Sequence, residues 1–153
     1  MIVFRLSKAD YGLDLSGKGA EKTGGRWNSK SVPMIYTSSS RALCTAEIAV
    51  HLPLGLVPSG YQLFTLDIPD RFAFSEPDLS PLKPGWNLFP YTRETQQAGD
   101  LFIKNKKSLV MRVPSAVVQG DYNFLINPLH SDINEISIIK SELFQFDERL
   151  FRR

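Results

Sequence analysis

Cysteine is almost missing from this chain of 153 residues: Cys44 stands alone, and histidine occurs only at His51 and His130. No intrachain disulfide can form, and these three residues cannot make a cysteine–histidine zinc site within one chain. A reducing compartment is the expectation. Charge of one sign is missing as well. Lys and Arg number 18 against 16 Asp and Glu, for a formal charge of +2, and basic residues cluster only at Lys104, Lys106 and Lys107 and at Arg152-Arg153. Nucleic-acid binding normally shows as a strongly basic face, so no direct nucleic-acid binding is expected. No apolar run approaches the roughly 18 residues of a membrane span, and Met1-Ile2-Val3-Phe4-Arg5 meets a charge after four residues. The reading is a soluble, cytoplasmic protein with no membrane partner. Internal repeats and low-complexity segments are absent too.

What is present suits one domain over residues 1–153. At 42% hydrophobic residues, the chain can bury a core without staples. Val3–Leu6 reads as a first strand, and the glycine-rich stretch 10–25 reads as loop. Pro33–Thr37 has the composition of a short buried strand. Ser38-Ser39-Ser40 then offers caps for a helix from about Ser40 to Leu52, which Pro53 stops. Tyr61–Ile68 alternates as a half-buried strand closed by Pro69. Seven of the ten prolines lie between Pro53 and Pro90, and the irregular stretch of about 69–91 is long enough to act as a lid. Thr92–Lys104 reads as a helix with Glu94 suited to its first turn. Strands follow at Ser108–Val113 and Tyr122–Asn127, then near Glu135–Lys140 and Leu143–Asp147. Strands outnumber helices without regular crossovers, which predicts α+β with a mainly antiparallel sheet.

The chemistry concentrates in Gly24-Gly25-Arg26-Trp27-Asn28, Ile35-Tyr36-Thr37-Ser38 and Ala46-Glu47. A guanidinium grips phosphate through paired hydrogen bonds, and flanking glycines let backbone approach a ligand. Trp27 serves either as a stacking face or as a packing anchor, and Tyr36 either as a ligand contact or as a core residue with its hydroxyl at the edge. On a helical wheel Ala42, Leu43, Ala46, Ala49 and Val50 form an apolar stripe with Glu47 at its border. Spacing leaves Glu47 open between a rim residue and a cleft carboxylate offset by a cation. Cys44 falls opposite the stripe with no histidine nearby, which argues against a cysteine nucleophile. Ser115, after Val113-Pro114, reads as a turn residue or a polar site group.

Taken together, Gly25–Asn28, Pro33–Ser38, Ala46-Glu47, Val113–Val118, Asn123–His130 and Phe146–Leu150 resemble the RES domain family, bacterial toxins paired with an Xre-like antitoxin. The segments stand in family order from residue 24 to residue 150. One departure is Phe102, where the family pattern suggests Trp. The resemblance implies an α+β fold similar to ADP-ribosyltransferases and cleavage of the nicotinamide glycosidic bond of NAD, which is substrate and not cofactor. It implies Glu47, Arg26, Tyr36 and Ser115 as catalytic residues, with Arg26, Trp27, Tyr36, Ser38 and Asn123 around NAD, no metal and no separate cofactor. It also implies an antitoxin partner, with a joint oligomer as one form.

Nicotinamide leaves a cationic pyridinium as a neutral molecule, so one carboxylate suffices where glycosidases need two. On that basis Glu47 holds the ribose and the developing oxocarbenium, Arg26 the pyrophosphate, Tyr36 the nicotinamide ring, and Ser115 the nicotinamide or its ribose. Two alternatives stand beside this reading: transfer of ADP-ribose to a protein, and a non-enzymatic RNA-binding module built on Trp27, Tyr36 and the Lys104–Lys107 cluster. Water and phosphate are both open as acceptors.

Overall fold

The computed structural model describes residues 1–11 and 14–152. Gly12, in the loop expected over 10–25, and Arg153 of the terminal basic pair lie outside them. Six strands form one antiparallel sheet: β1 (Ile2–Lys8), β2 (Ile35–Ser38), β3 (Tyr61–Asp67), β4 (Val110–Pro114), β5 (Tyr122–Ile126) and β6 (Ser137–Phe144), in the order β4-β5-β2-β1-β3-β6. The helices are α1 (Lys18–Thr23), α2 (Arg41–Ala49) and α3 (Arg93–Asn105). This is the expected α+β architecture.

Alternation along the strands separates the core into layers. Ile35, Val110, Phe124 and Ile126 share one cluster with Val3, Phe64 and Leu66. Their neighbours Met111, Val113 and Leu125 join Trp27, Met34 and the α3 residues Phe102 and Ile103. Leu6, Tyr61 and Leu63 pack with Cys44 of α2, Phe146 and Phe151. Phe102 therefore fills the place beside Trp27 as a core residue.

Four expectations need correction. The stretch 10–25 is not all loop, since α1 lies within it between Gly17 and Gly24. Its six residues are too few to be stable alone; tertiary bonds hold it, with Asn28 Nδ2 donating to Ala20 O at 2.9 Å and Ser31 N to Glu21 O at 2.8 Å. β3 is buried on both faces from Leu63 to Leu66, because core clusters cover both sides of the sheet. The two last strands are one, β6, paired with β3 through a bulge between Thr65 and Leu66.

The fourth correction concerns α2. Of the three serines expected as caps, Ser40 is the one that caps it, accepting from Leu43 N at 3.1 Å. Its buried residues, however, are Leu43 and Cys44, whereas Ala42 is exposed and Val50 is 57% exposed. The true inner face is rotated about one residue from the alanine stripe, because alanines contribute too little area to decide which side packs. Glu47, four after Leu43 and three after Cys44, consequently lies on the inward side. Cys44 is a core thiol, and burial pushes its pKa up to about 11.

Candidate active site

The Arg-Trp-Asn turn is closed by the Gly25 N to Asn28 O bond at 2.9 Å. Asn28 is fully buried and its amide ties the turn to Ala20, Ser29 and Val32 carbonyls. Tyr36 supports the turn from β2: its hydroxyl donates to Asn28 Oδ1 at 2.7 Å and accepts from Trp27 N at 3.0 Å. Burial pushes the Tyr36 phenol far above its ordinary value, so it stays protonated. Side-chain volume is excluded beneath the turn. A Cβ on Gly25 would sit 2.7 Å from the Tyr36 hydroxyl, and one on Gly99 of α3 would sit 1.6 Å from the Trp27 carbonyl oxygen.

Glu47 reaches the same region from α2. Its Oε1 accepts from Ser115 Oγ at 2.7 Å and from Asn123 Nδ2 at 2.5 Å. The direction of the Ser115 bond follows from its other contacts: Ser115 Oγ already accepts from Val117 N at 3.1 Å and Val118 N at 2.9 Å, so its proton points to Glu47. Asn123 is oriented in turn by Ser38, whose Oγ donates to Asn123 Oδ1 at 2.8 Å. Ser38 and Asn123 are direct partners in the β2–β5 ladder. Ser38 and Ser115 are almost wholly buried. Both stand behind the carboxylate and position it.

Glu47, Asn123, Tyr36, Trp27 and Arg26 line one cleft of about 1000 Å³, together with Arg5, His51, Asn87, Phe89 and Tyr91. Arg26 lies over the Tyr91 ring at 5.0 Å, and its Nη1 donates to Trp86 O at 2.7 Å and Leu88 O at 3.1 Å. It thereby latches the irregular segment between β3 and α3 onto the cleft. Desolvation lowers the Arg26 pKa, opposed by Tyr91, Glu47 and Tyr36. Trp27 is only 3% exposed and packs against Met34, Phe102 and Trp86, which makes it the turn's anchor and not a stacking platform.

Arg5 is the residue that sequence reasoning missed. It read as the charge ending an apolar start, yet its Nη1 donates to Tyr36 O at 3.0 Å and the side chain lines the cleft. Burial is the first cause lowering its pKa, and among the described residues it has no ion pair. A cation inside a strand that the hydrophobic pattern would fill with an apolar residue was the available signal. Two guanidinium groups and one carboxylate thus share one cleft.

A second cavity, of about 490 Å³, lies between α3 and the 75–82 segment and contains none of these residues. The RNA-binding alternative loses its platform, because Trp27 is in the core and the Tyr36 hydroxyl points into the turn. No cluster of three or more His, Cys, Asp or Glu able to hold a metal occurs among the described residues. Among them, too, no helix is long and apolar enough to cross a membrane.

The RES domain model matches residues 2–147. The chain belongs to the RES domain family. Its curated relatives include the Prs ADP-ribosylating toxin of Sphingobium sp. strain YBL2, 37% identical over 92% of this chain and 88% of that protein. Toxin Res of Pseudomonas putida KT2440 is 33% identical over 99% of this chain and 100% of its own length. This RES domain also shares its fold with a chain in the crystal structure of the M. tuberculosis MbcT–MbcA toxin–antitoxin complex, with a TM-score of 0.70, 20% identity, and coverage of 98% of this chain and 86% of that one. Of the RES segments named from sequence, Gly25–Asn28, Pro33–Ser38, Ala46-Glu47, Val113–Val118 and the start of Asn123–His130 meet around the cleft, whereas Phe146–Leu150 contributes nothing to its lining.

Proposed function

We propose that this RES domain is the toxin of a toxin–antitoxin pair and depletes NAD by cleaving the bond between nicotinamide and ribose. The observation that carries this reading is Glu47: its carboxylate is held by two donors on the wall of a cleft containing Arg5 and Arg26. A dinucleotide has a pyrophosphate for the guanidinium groups and a cationic glycosidic centre for the carboxylate.

In this reading Arg5 and Arg26 take the pyrophosphate, and Glu47 faces the nicotinamide ribose. The C1′–N bond breaks with its electron pair going to the pyridine nitrogen, which neutralises the leaving group, so no general acid is required. Glu47 stabilises the oxocarbenium character that develops at C1′. Water then adds at C1′ and loses a proton to give ADP-ribose, or phosphate adds to give its 1-phosphate. Ser115 and Asn123 fix the carboxylate, Ser38 fixes Asn123, and Tyr36 holds the turn that presents Arg26. Phe89 and Tyr91, lining the same cleft, offer aromatic faces for a flat ring. The antitoxin, of Xre-like type as the family resemblance implies, would silence the protein by filling the cleft or by pinning the Pro53–Pro90 segment.

Incubation of the purified protein with NAD, with and without phosphate, tests this directly, with free nicotinamide and either ADP-ribose or its 1-phosphate expected. Glu47→Gln should lose that activity while its circular dichroism and melting temperature stay near those of the parent. Full activity in that variant would overturn the assignment. A second reading, transfer of ADP-ribose to a cellular protein, is favoured by the name of the Sphingobium relative. NAD labelled in its adenylate part separates the two: label on macromolecule indicates transfer, and label in small molecules indicates degradation.

A further inference from the structure

The two edges of the sheet are treated differently. At the β4 edge, Ser75 occupies the outward backbone groups: Ser75 N donates to Val110 O at 2.9 Å and Arg112 N to Ser75 O at 2.8 Å. Pro114 then ends that strand without an N–H to offer. At the other edge β6 runs for eight residues, Ser137–Phe144, and among the described residues pairs only with β3. Its outward N–H and C=O groups form an open template for another strand. Ile139 is 56% and Leu143 80% exposed there, more apolar surface than an edge strand needs.

The sequence of β6, Ser-Ile-Ile-Lys-Ser-Glu-Leu-Phe, is complementary to itself when read backwards about Ser141. An antiparallel copy centred on that residue sets Lys140 against the second copy's Glu142 and brings the bulged Ile139 near its Leu143. It sets the small Ser141 against itself on the axis, and regular pairing centres on Lys140–Glu142, because β6 is bulged at Ile139. The two Lys140–Glu142 pairs lie on one face of the joined sheet and Ser141 on the other, as regular antiparallel pairing requires. Shifting the centre by one residue in either direction brings unlike groups together and loses both ion pairs. Glu142 already carries counter-charges from Lys140 at 2.9 Å and from Arg41, so pairing would extend an existing charge network across the axis.

We propose that β6 is a self-pairing edge: two copies of this chain join antiparallel through the part of β6 centred on Lys140–Glu142, with Ser141 on the two-fold axis, into one continuous sheet. The surface is isologous, as a closed dimer requires. β6 contributes nothing to the cleft, so pairing leaves both clefts open and does not depend on what they bind.

The mass of the full-length protein by light scattering and sedimentation equilibrium, over rising concentration, tests this with three charge variants. The parent should dimerise. Lys140→Glu and Glu142→Lys, each placing like charges opposite one another twice per dimer, should each weaken dimerisation by about tenfold or more. The double variant K140E/E142K should restore it, which a merely damaged edge would not. Ser141→Cys reports the register: its two thiols face each other about 5 Å apart at Cβ and should oxidise to a disulfide dimer, whereas Ile139→Cys, near Leu143, should not. The one native thiol, Cys44, is buried and silent. A parent that stays monomeric to its solubility limit would overturn the proposal and leave β6 for a strand of another protein. A dimer indifferent to both single reversals would also overturn it.

Discussion

Ser38 and Asn123 face each other across β2 and β5, and the Ser38 hydroxyl donates to Asn123 Oδ1 at 2.8 Å. That single bond decides which end of the amide meets Glu47. With Oδ1 occupied, Nδ2 is the end presented to the carboxylate. Asn123→Ala should lower kcat/KM for NAD by roughly 10- to 100-fold, the loss of a hydrogen bond to a charged group. Ser38→Ala should lower it less, because the amide keeps its place but loses its orientation. Steady-state kinetics on both variants checks the order, and a larger loss in Ser38→Ala would contradict the relay.

Ser115→Ala removes three bonds together: the donor to Glu47 and the acceptor for two backbone N–H groups. Stability should fall by about 1–3 kcal/mol as buried polar groups lose partners, and activity should fall with it. Ser115→Thr keeps the hydroxyl and should recover more of the activity than of the stability. Thermal melts run beside the NAD assay separate the two effects.

Arg26→Lys tests the latch. An ammonium cannot hold the Trp86 and Leu88 carbonyls from one planar group while lying over Tyr91. Amide exchange over residues 86–91 should quicken, and KM for NAD should rise by at least severalfold. Unchanged exchange in that segment would place its anchor elsewhere, with the Trp27–Trp86 contact as the remaining tie.

Gly99→Ala should be severely destabilising, since its Cβ would lie 1.6 Å from the Trp27 carbonyl oxygen, a backbone atom that cannot swing aside. Helix propensity alone predicts a gain of about 1 kcal/mol for this change within a helix. Chemical denaturation decides between them. A stabilised variant would mean that α3 does not press on the Arg-Trp-Asn turn.

Burial raises the pKa of Tyr36 and of Cys44. Both groups keep their protons in the folded state at pH values where the unfolded chain has lost them. The unfolded state then binds fewer protons, so stability falls as pH rises, beginning at the unfolded values of about 8.5 for Cys and 10 for Tyr. For Cys44 the fall ends near pH 11, its folded value; for Tyr36 it continues higher. Denaturant midpoints between neutral and strongly alkaline pH should show this decline. Cys44→Ala should flatten its early part and Tyr36→Phe its later part. Thiol reagents at neutral pH should modify native Cys44 only as fast as the chain opens.

By itself the sequence determined the α+β class and the helix after Thr92, narrowed the cap of α2 to Ser38, Ser39 or Ser40, and singled out Arg26, Trp27, Tyr36, Ser38, Glu47, Ser115 and Asn123 as candidate site residues. Those features are written in local signals: turn glycines, strand composition, cap residues and motif order. Tertiary structure alone decided the rest. Helix α1 exists because Asn28 and Ser31 bond to it. The inner face of α2 is set by Leu43 and Cys44 against the sheet, which turned Glu47 from a border residue into a held carboxylate. Arg5 joined the cleft because β1 lies beside β2, where its guanidinium reaches the Tyr36 carbonyl. Which side of a short helix packs, and which strand lies next to which, depends on contacts between residues far apart in the chain, and no local pattern records those.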